Sequence, residues 1–113
     1  MWIFTTSGFL SVVTPADRPG DLLVRARVRA DLEAFCDATG APAPIETPAR
    51  DYRWRTFVPA ATFATYLAGQ AEAIDYGNFK SAVAARQGHD RAHRYHDVWS
   101  VMHDLQLADA DAV

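Results

Sequence analysis

Leu22-Leu23-Val24-Arg25-Ala26-Arg27-Val28-Arg29 is the stretch that decides the fold class. Val24, Ala26 and Val28 alternate with Arg25, Arg27 and Arg29, which is the period of a strand with one apolar and one charged face. The competing reading is a helix beginning near Leu23, because arginine and alanine are both good helix formers. The alternation favours the strand, and with it a chain that mixes strands and helices.

Working outward from there, Trp2-Ile3-Phe4-Thr5-Thr6 and Phe9-Leu10-Ser11-Val12-Val13-Thr14 are rich in β-branched and aromatic residues. Ser7-Gly8 between them offers either a two-residue turn or a bulge within one longer strand. Residues 15–21 hold two prolines and a glycine and read as a loop. After the arginine strand, Ala30 to about Thr39 has helical spacing, and Gly40 stands where a helix C-terminus favours glycine. Ala41-Pro42-Ala43-Pro44 connects to a short candidate edge strand at Ile45-Glu46-Thr47. Tyr52 to Val58 alternates again, with Tyr52, Trp54, Thr56 and Val58 expected on one face and Arg53, Arg55 and Phe57 on the other. Pro59 suits the first turn of a helix, whose apolar stripe is Phe63, Tyr66, Leu67, Ala71 and Ile74.

Asp75-Tyr76-Gly77-Asn78 breaks that helix, and Asn78 is a good N-cap for a helix over Phe79–Gln87. Gly88 separates it from a strongly amphipathic segment, Asp90 to Leu107. At about 100° per residue, Tyr95, Val98, Trp99, Val101, Met102 and Leu105 form one apolar side, while His93, His96, Ser100 and His103 form a polar stripe. Strands, helix, strands and helices in that order define an α+β protein. An antiparallel sheet with helices on one face is expected, as a ferredoxin-like sandwich followed by two C-terminal helices, although no clear last strand is present. One domain over residues 1–107 and a disordered acidic tail over 108–113 complete the expected organisation.

Half of the 113 residues are hydrophobic, which suffices for a core without cross-links. The net charge of −3 is mild, so the balance marks neither a general polyanion binder nor an acidic mimic. Cys36 is the single cysteine, which excludes an intramolecular disulfide. It shares a helical face with Leu32 and Phe35 and is expected in the core. The apolar opening has no basic n-region and is too short to span a bilayer, so a cytoplasmic protein without membrane contact is expected.

Two groups of side chains carry chemistry. Arg25, Arg27 and Arg29 on one strand and Arg53 and Arg55 on another would place five guanidiniums on the open face of a common sheet. Such a face suits an acidic protein surface, phosphates or RNA. Sheet platforms for single-stranded RNA also need aromatics to stack bases, and only Phe57 and one residue of the first strands are expected there. Nucleic acid is therefore possible but not favoured. On the last helix, His89, His93, His96 and His103 recur on one side, and His93 with His96 is the candidate metal pair, assisted by Asp97 or Asp104. That side lies opposite the apolar stripe, where a solvated face is the simpler expectation. No cofactor is expected, and no phosphate loop, CxxC pair or nucleophile elbow is present.

Met1-Trp2-Ile3-Phe4-Thr5-Thr6-Ser7-Gly8-Phe9, Asp75-Tyr76-Gly77-Asn78-Phe79-Lys80 and Tyr95-His96-Asp97-Val98-Trp99-Ser100-Val101 supply a further signal. They resemble a group of small uncharacterised bacterial proteins with a Met-Trp-aromatic start, a DYxNFK phrase and a YHxVWSV phrase. The resemblance covers most of the chain and implies no activity. From the residues themselves, Tyr76 and Lys80 join Arg25, Arg27, Arg53 and Arg55 as candidate binding residues. The leading expectation is a small standalone binding or regulatory protein that contacts a protein partner, without catalysis. The alternatives are a small enzyme or metal-dependent ligand binder built on His93, His96 and Asp97 with Tyr76 or Lys80, an RNA or anionic-ligand binder on the arginine face, and a homodimer formed through the open sheet face.

Overall fold

The computed structural model describes residues 1–111, which divide into two compact units, residues 1–75 and residues 76–111. The first unit is α+β. Its elements are β1 (Trp2–Thr5), β2 (Gly8–Val13), β3 (Asp21–Ala26), α1 (Arg29–Thr39), β4 (Ile45–Glu46), β5 (Trp54–Pro59) and α2 (Ala60–Glu72). The five strands form one sheet in the order β1-β2-β3-β5-β4, with every neighbouring pair antiparallel.

That order differs from the ferredoxin-like sandwich anticipated from the sequence. The first three strands follow one another directly as a meander, with no helix between them. A ferredoxin-like sheet instead builds its parallel neighbours from helix crossovers. The segment at the chain start is two strands, with Thr5 opposite Gly8 across a Thr6-Ser7 turn.

The register explains the core. Val12, Val24 and Thr56 lie side by side on the same sheet face, and Leu10, Ala26 and Val58 share that face by the two-residue alternation. Leu32, Phe35 and Cys36 of α1 and Phe63 and Tyr66 of α2 close over it to make one hydrophobic cluster. Phe35 and Tyr66 meet edge-to-face at 4.7 Å. Cys36 is buried as expected, and its thiol donates to the Pro42 carbonyl at 3.3 Å.

Local chemistry sets the ends of α1. The Phe9 backbone N–H donates to the buried Asp31 carboxylate at 2.9 Å, tying the helix start to β2. Gly8 makes this approach possible, because a Cβ there would sit 2.5 Å from Asp31 Cγ. At the other end Gly40 takes a left-handed φ of 72° and its N–H bonds the Cys36 carbonyl at 2.8 Å.

The second unit contains α3 (Phe79–Gln87) and α4 (His89–Asp111). Asn78 caps α3 through a 2.9 Å bond from the Ser81 N–H, as its position implied. The two helices pack through Val83, fully buried, and through stacked Phe79 and Tyr95 rings 6.0 Å apart. Residues 108–111 of the anticipated tail continue α4 as helix, while Ala112 and Val113 lie outside the described residues.

Candidate functional site: the open face of the sheet

The sheet face opposite α1 and α2 carries Trp2, Phe4, Phe9, Ser11, Leu23, Arg25, Arg55 and Phe57, as strand alternation from the core residues requires. Ser11, Arg25 and Arg55 stand in one row across β2, β3 and β5. Ser11 is only 1% exposed, because the Arg25 guanidinium lies across it and donates to its hydroxyl at 2.7 Å.

The arginine comb is narrower than the sequence suggested. β3 ends at Ala26 and α1 begins at Arg29, so Arg27 and Arg29 leave the sheet. Arg27 bonds Asp51 at 3.2 Å, Arg29 pairs with Glu33 one helical turn on, and Arg53, just before β5, pairs with Glu46 at 2.7 Å. These three charges are compensated at the surface. Arg25 and Arg55 are held differently: Arg25 by Ser11, and Arg55 by the Thr47 hydroxyl at 3.2 Å. Among the described residues neither has a carboxylate within ion-pair distance. Arg25 Nε is buried and has no hydrogen-bond acceptor. Burial pushes the Arg55 guanidinium below its ordinary value, and the positive charges of Arg25 and then Arg50 push it the same way. Asp51 opposes them only in part. The row is therefore a local concentration of weakly compensated positive charge.

Aromatic side chains frame it, and most of them escaped the sequence reading. Tyr52 was expected on the core face with Trp54, Thr56 and Val58. It lies instead in the bend that precedes β5, where strand alternation does not extend, and it folds over the open face. Its ring sits 4.5 Å from the Arg25 guanidinium carbon and 4.0 Å from that of Arg27, and it is 3% exposed. Phe9 joins the same cluster, stacked on Phe4 at 4.5 Å and meeting Trp2 edge-on at 5.8 Å. On the far side Arg18 lies 3.7 Å over the Phe57 ring. Trp2, Phe4 and Phe9 were legible in principle, because the hairpin register places all three opposite the core face once Leu10 and Val12 are assigned to it.

Beside Arg55 the face sinks into an open depression of about 330 Å³. Its apolar wall is Pro15, Leu23, Ile45 and Phe57, and its polar rim is Asp17, Thr47, Arg50 and Arg55. An apolar floor bordered by two arginines can receive an apolar side chain next to a negatively charged group.

The remaining candidates belong to the second unit. Lys80 donates to His96 Nδ1 at 2.9 Å and lies 4.8 Å over the Trp99 ring. The rings of His96, Trp99 and His103 stack along α4 with centroid spacings of 5.2 and 4.9 Å. Tyr76 packs against Phe79 at 5.8 Å. His93 and His96 are exposed and border an open groove with His89, Asn78 and Lys80. Among the described residues no three His, Cys, Asp or Glu side chains gather into a group that could hold a metal. Among the same residues no helix is long and apolar enough to cross a membrane.

Comparison of the chain with protein-family models, with curated proteins and with solved structures finds no match.

Proposed function

We propose that this protein is a binding protein that captures an acidic segment of a protein partner on the open face of its sheet. One observation carries the reading: Arg25 and Arg55 face the same way from adjacent strands with hydroxyls, not carboxylates, as partners, and a buried Arg25 N–H has no acceptor. Leaving such a group unmet costs on the order of 1–3 kcal/mol. An incoming carboxylate forms charge-assisted hydrogen bonds with the accessible nitrogens of the two guanidiniums in a partly dry setting. The depression beside Arg55 adds selectivity for an acidic residue next to an apolar one.

RNA is the second reading, and the aromatic set Trp2, Phe4, Phe9 and Phe57 favours it more than the sequence did. The compensation of Arg27, Arg29 and Arg53 by carboxylates argues the other way. It leaves few free charges to follow a phosphate backbone.

A titration by fluorescence anisotropy separates the two, using a labelled peptide of alternating glutamate and leucine and a labelled oligouridine of similar length. The peptide is expected to bind and to be released by moderate salt. The double variant Arg25→Gln/Arg55→Gln, with an unchanged circular dichroism spectrum, should weaken it on the order of 100-fold, as loss of two charge-assisted contacts implies. Preference for the oligouridine, or peptide binding indifferent to the double variant, contradicts the proposal.

A further inference from the structure

A second surface, independent of the sheet face, lies on α4. The helix has 23 residues and α3 only nine, so α3 covers the N-terminal part of α4 alone. From Asp97 to Asp111 every residue but Ser100 is exposed. Val98 is 41% exposed, Val101 66%, Met102 55% and Leu105 60%. Their spacing of i, i+3, i+4 and i+7 gathers them into one stripe roughly 100° wide, the pattern of a helix seam. An isolated helical stretch of this length is marginal in water and normally owes its stability to packing of its apolar face.

Charge says what packs there. At 100° per residue Arg94 and Asp109 fall on this same stripe, at its N-terminal and C-terminal ends. From Asp97 onward α4 carries four aspartates and no lysine or arginine, and its last turn has no basic residue to offset the negative end of the helix dipole. The N-terminal end carries Arg91 and Arg94, and Arg94 makes an exposed i,i+4 pair with Asp90, which is weak. A surface that runs from basic to acidic along an apolar seam is complementary to its own antiparallel copy. Placing Val98 against Leu105 of a second copy, and Val101 against Met102, brings Arg94 opposite Asp109 at both ends of the seam.

We infer that this chain pairs with a second copy of itself through the C-terminal half of α4, antiparallel, with Val98, Val101, Met102 and Leu105 as the seam and Arg94–Asp109 as the two closing ion pairs. The arrangement is a two-fold, isologous contact.

Sedimentation equilibrium of the intact chain over a wide concentration range tests it, with circular dichroism confirming that each variant keeps its helices. The wild-type chain should dimerise, and Leu105→Asp should raise the dimer Kd on the order of 100-fold, because a charge then enters the apolar seam. Arg94→Asp and Asp109→Arg should each weaken pairing, since each sets like charges opposite one another. An equimolar mixture of those two variants should dimerise again, because the heterodimer restores opposite charges at both ends of the seam, one pair with reversed sign and one unchanged. A wild-type chain that stays monomeric overturns the inference. So does a dimer indifferent to Leu105→Asp, which pairs elsewhere, and so does a mixture of the charge variants that fails to recover.

Discussion

Gly8 and Asp31 are where a single atom decides local structure. The 2.5 Å from a hypothetical Cβ to Asp31 Cγ leaves no room for alanine unless α1 moves off β2. That movement would break the Asp31 bond to the Phe9 N–H. Gly8→Ala is therefore expected to lower stability by about 1–3 kcal/mol in urea unfolding, and a neutral result would mean that the helix start is not fixed by this contact. Cys36 and Tyr66 set a pH dependence. Burial, reinforced by the charge of Asp37, raises the Cys36 thiol above its ordinary 9.0, and burial raises the Tyr66 phenol above its ordinary 10.0 against a hydrogen bond with Thr5. Both groups favour their protonated form more in the folded state than in the unfolded one. Their contribution to stability is whole below pH 9 and is lost as pH rises through the raised values. The melting temperature should hold up to about pH 8 and fall through pH 9–11, and Cys36 should alkylate far more slowly in folded than in urea-unfolded protein. Rapid alkylation of the folded chain would contradict the buried thiol.

At the scale of elements, the sequence carried most of the strands and helices because their periodicities are long and their ends are chemically marked. Asn78, Gly40 and Gly88 stand where caps were expected, and replacing Asn78 by alanine should cost about 1 kcal/mol, read as a loss of helical signal and a lower urea midpoint. The readings that failed did so at strand ends. Arg27 and Arg29 continue the alternation in sequence, but the bond between Asp31 and Phe9 starts α1 at Arg29 and draws the chain off the sheet. Tyr52 fits the pattern of β5 by parity alone. Its preceding bend is fixed by long-range contacts with Arg25 and Arg27, which no local pattern records. The apolar stripe of α4 was legible as a stripe, but not that α3 is too short to cover its second half.

At the scale of the whole molecule, charge is distributed more tellingly than its small net value implies. The total of −3 conceals a row of weakly compensated arginines on one sheet face and a helix that runs from basic to acidic. The first arrangement suits an acidic ligand and the second suits another copy of the same helix. Because these surfaces use different residues, Arg25 and Arg55 variants should leave the oligomeric state unchanged, and Leu105→Asp should leave peptide affinity at the sheet face within about twofold apart from avidity. Loss of both properties in one variant would show that the two surfaces are not separate.

The most direct measurement is capture from a lysate of the native host on immobilised protein, with and without nuclease, comparing wild type with Arg25→Gln/Arg55→Gln. The account predicts a stoichiometric protein partner that survives nuclease, elutes with moderate salt, carries an acidic binding segment and is absent from the double variant. Nucleic acid retained in place of a protein, or a partner captured equally well without the two arginines, would contradict it.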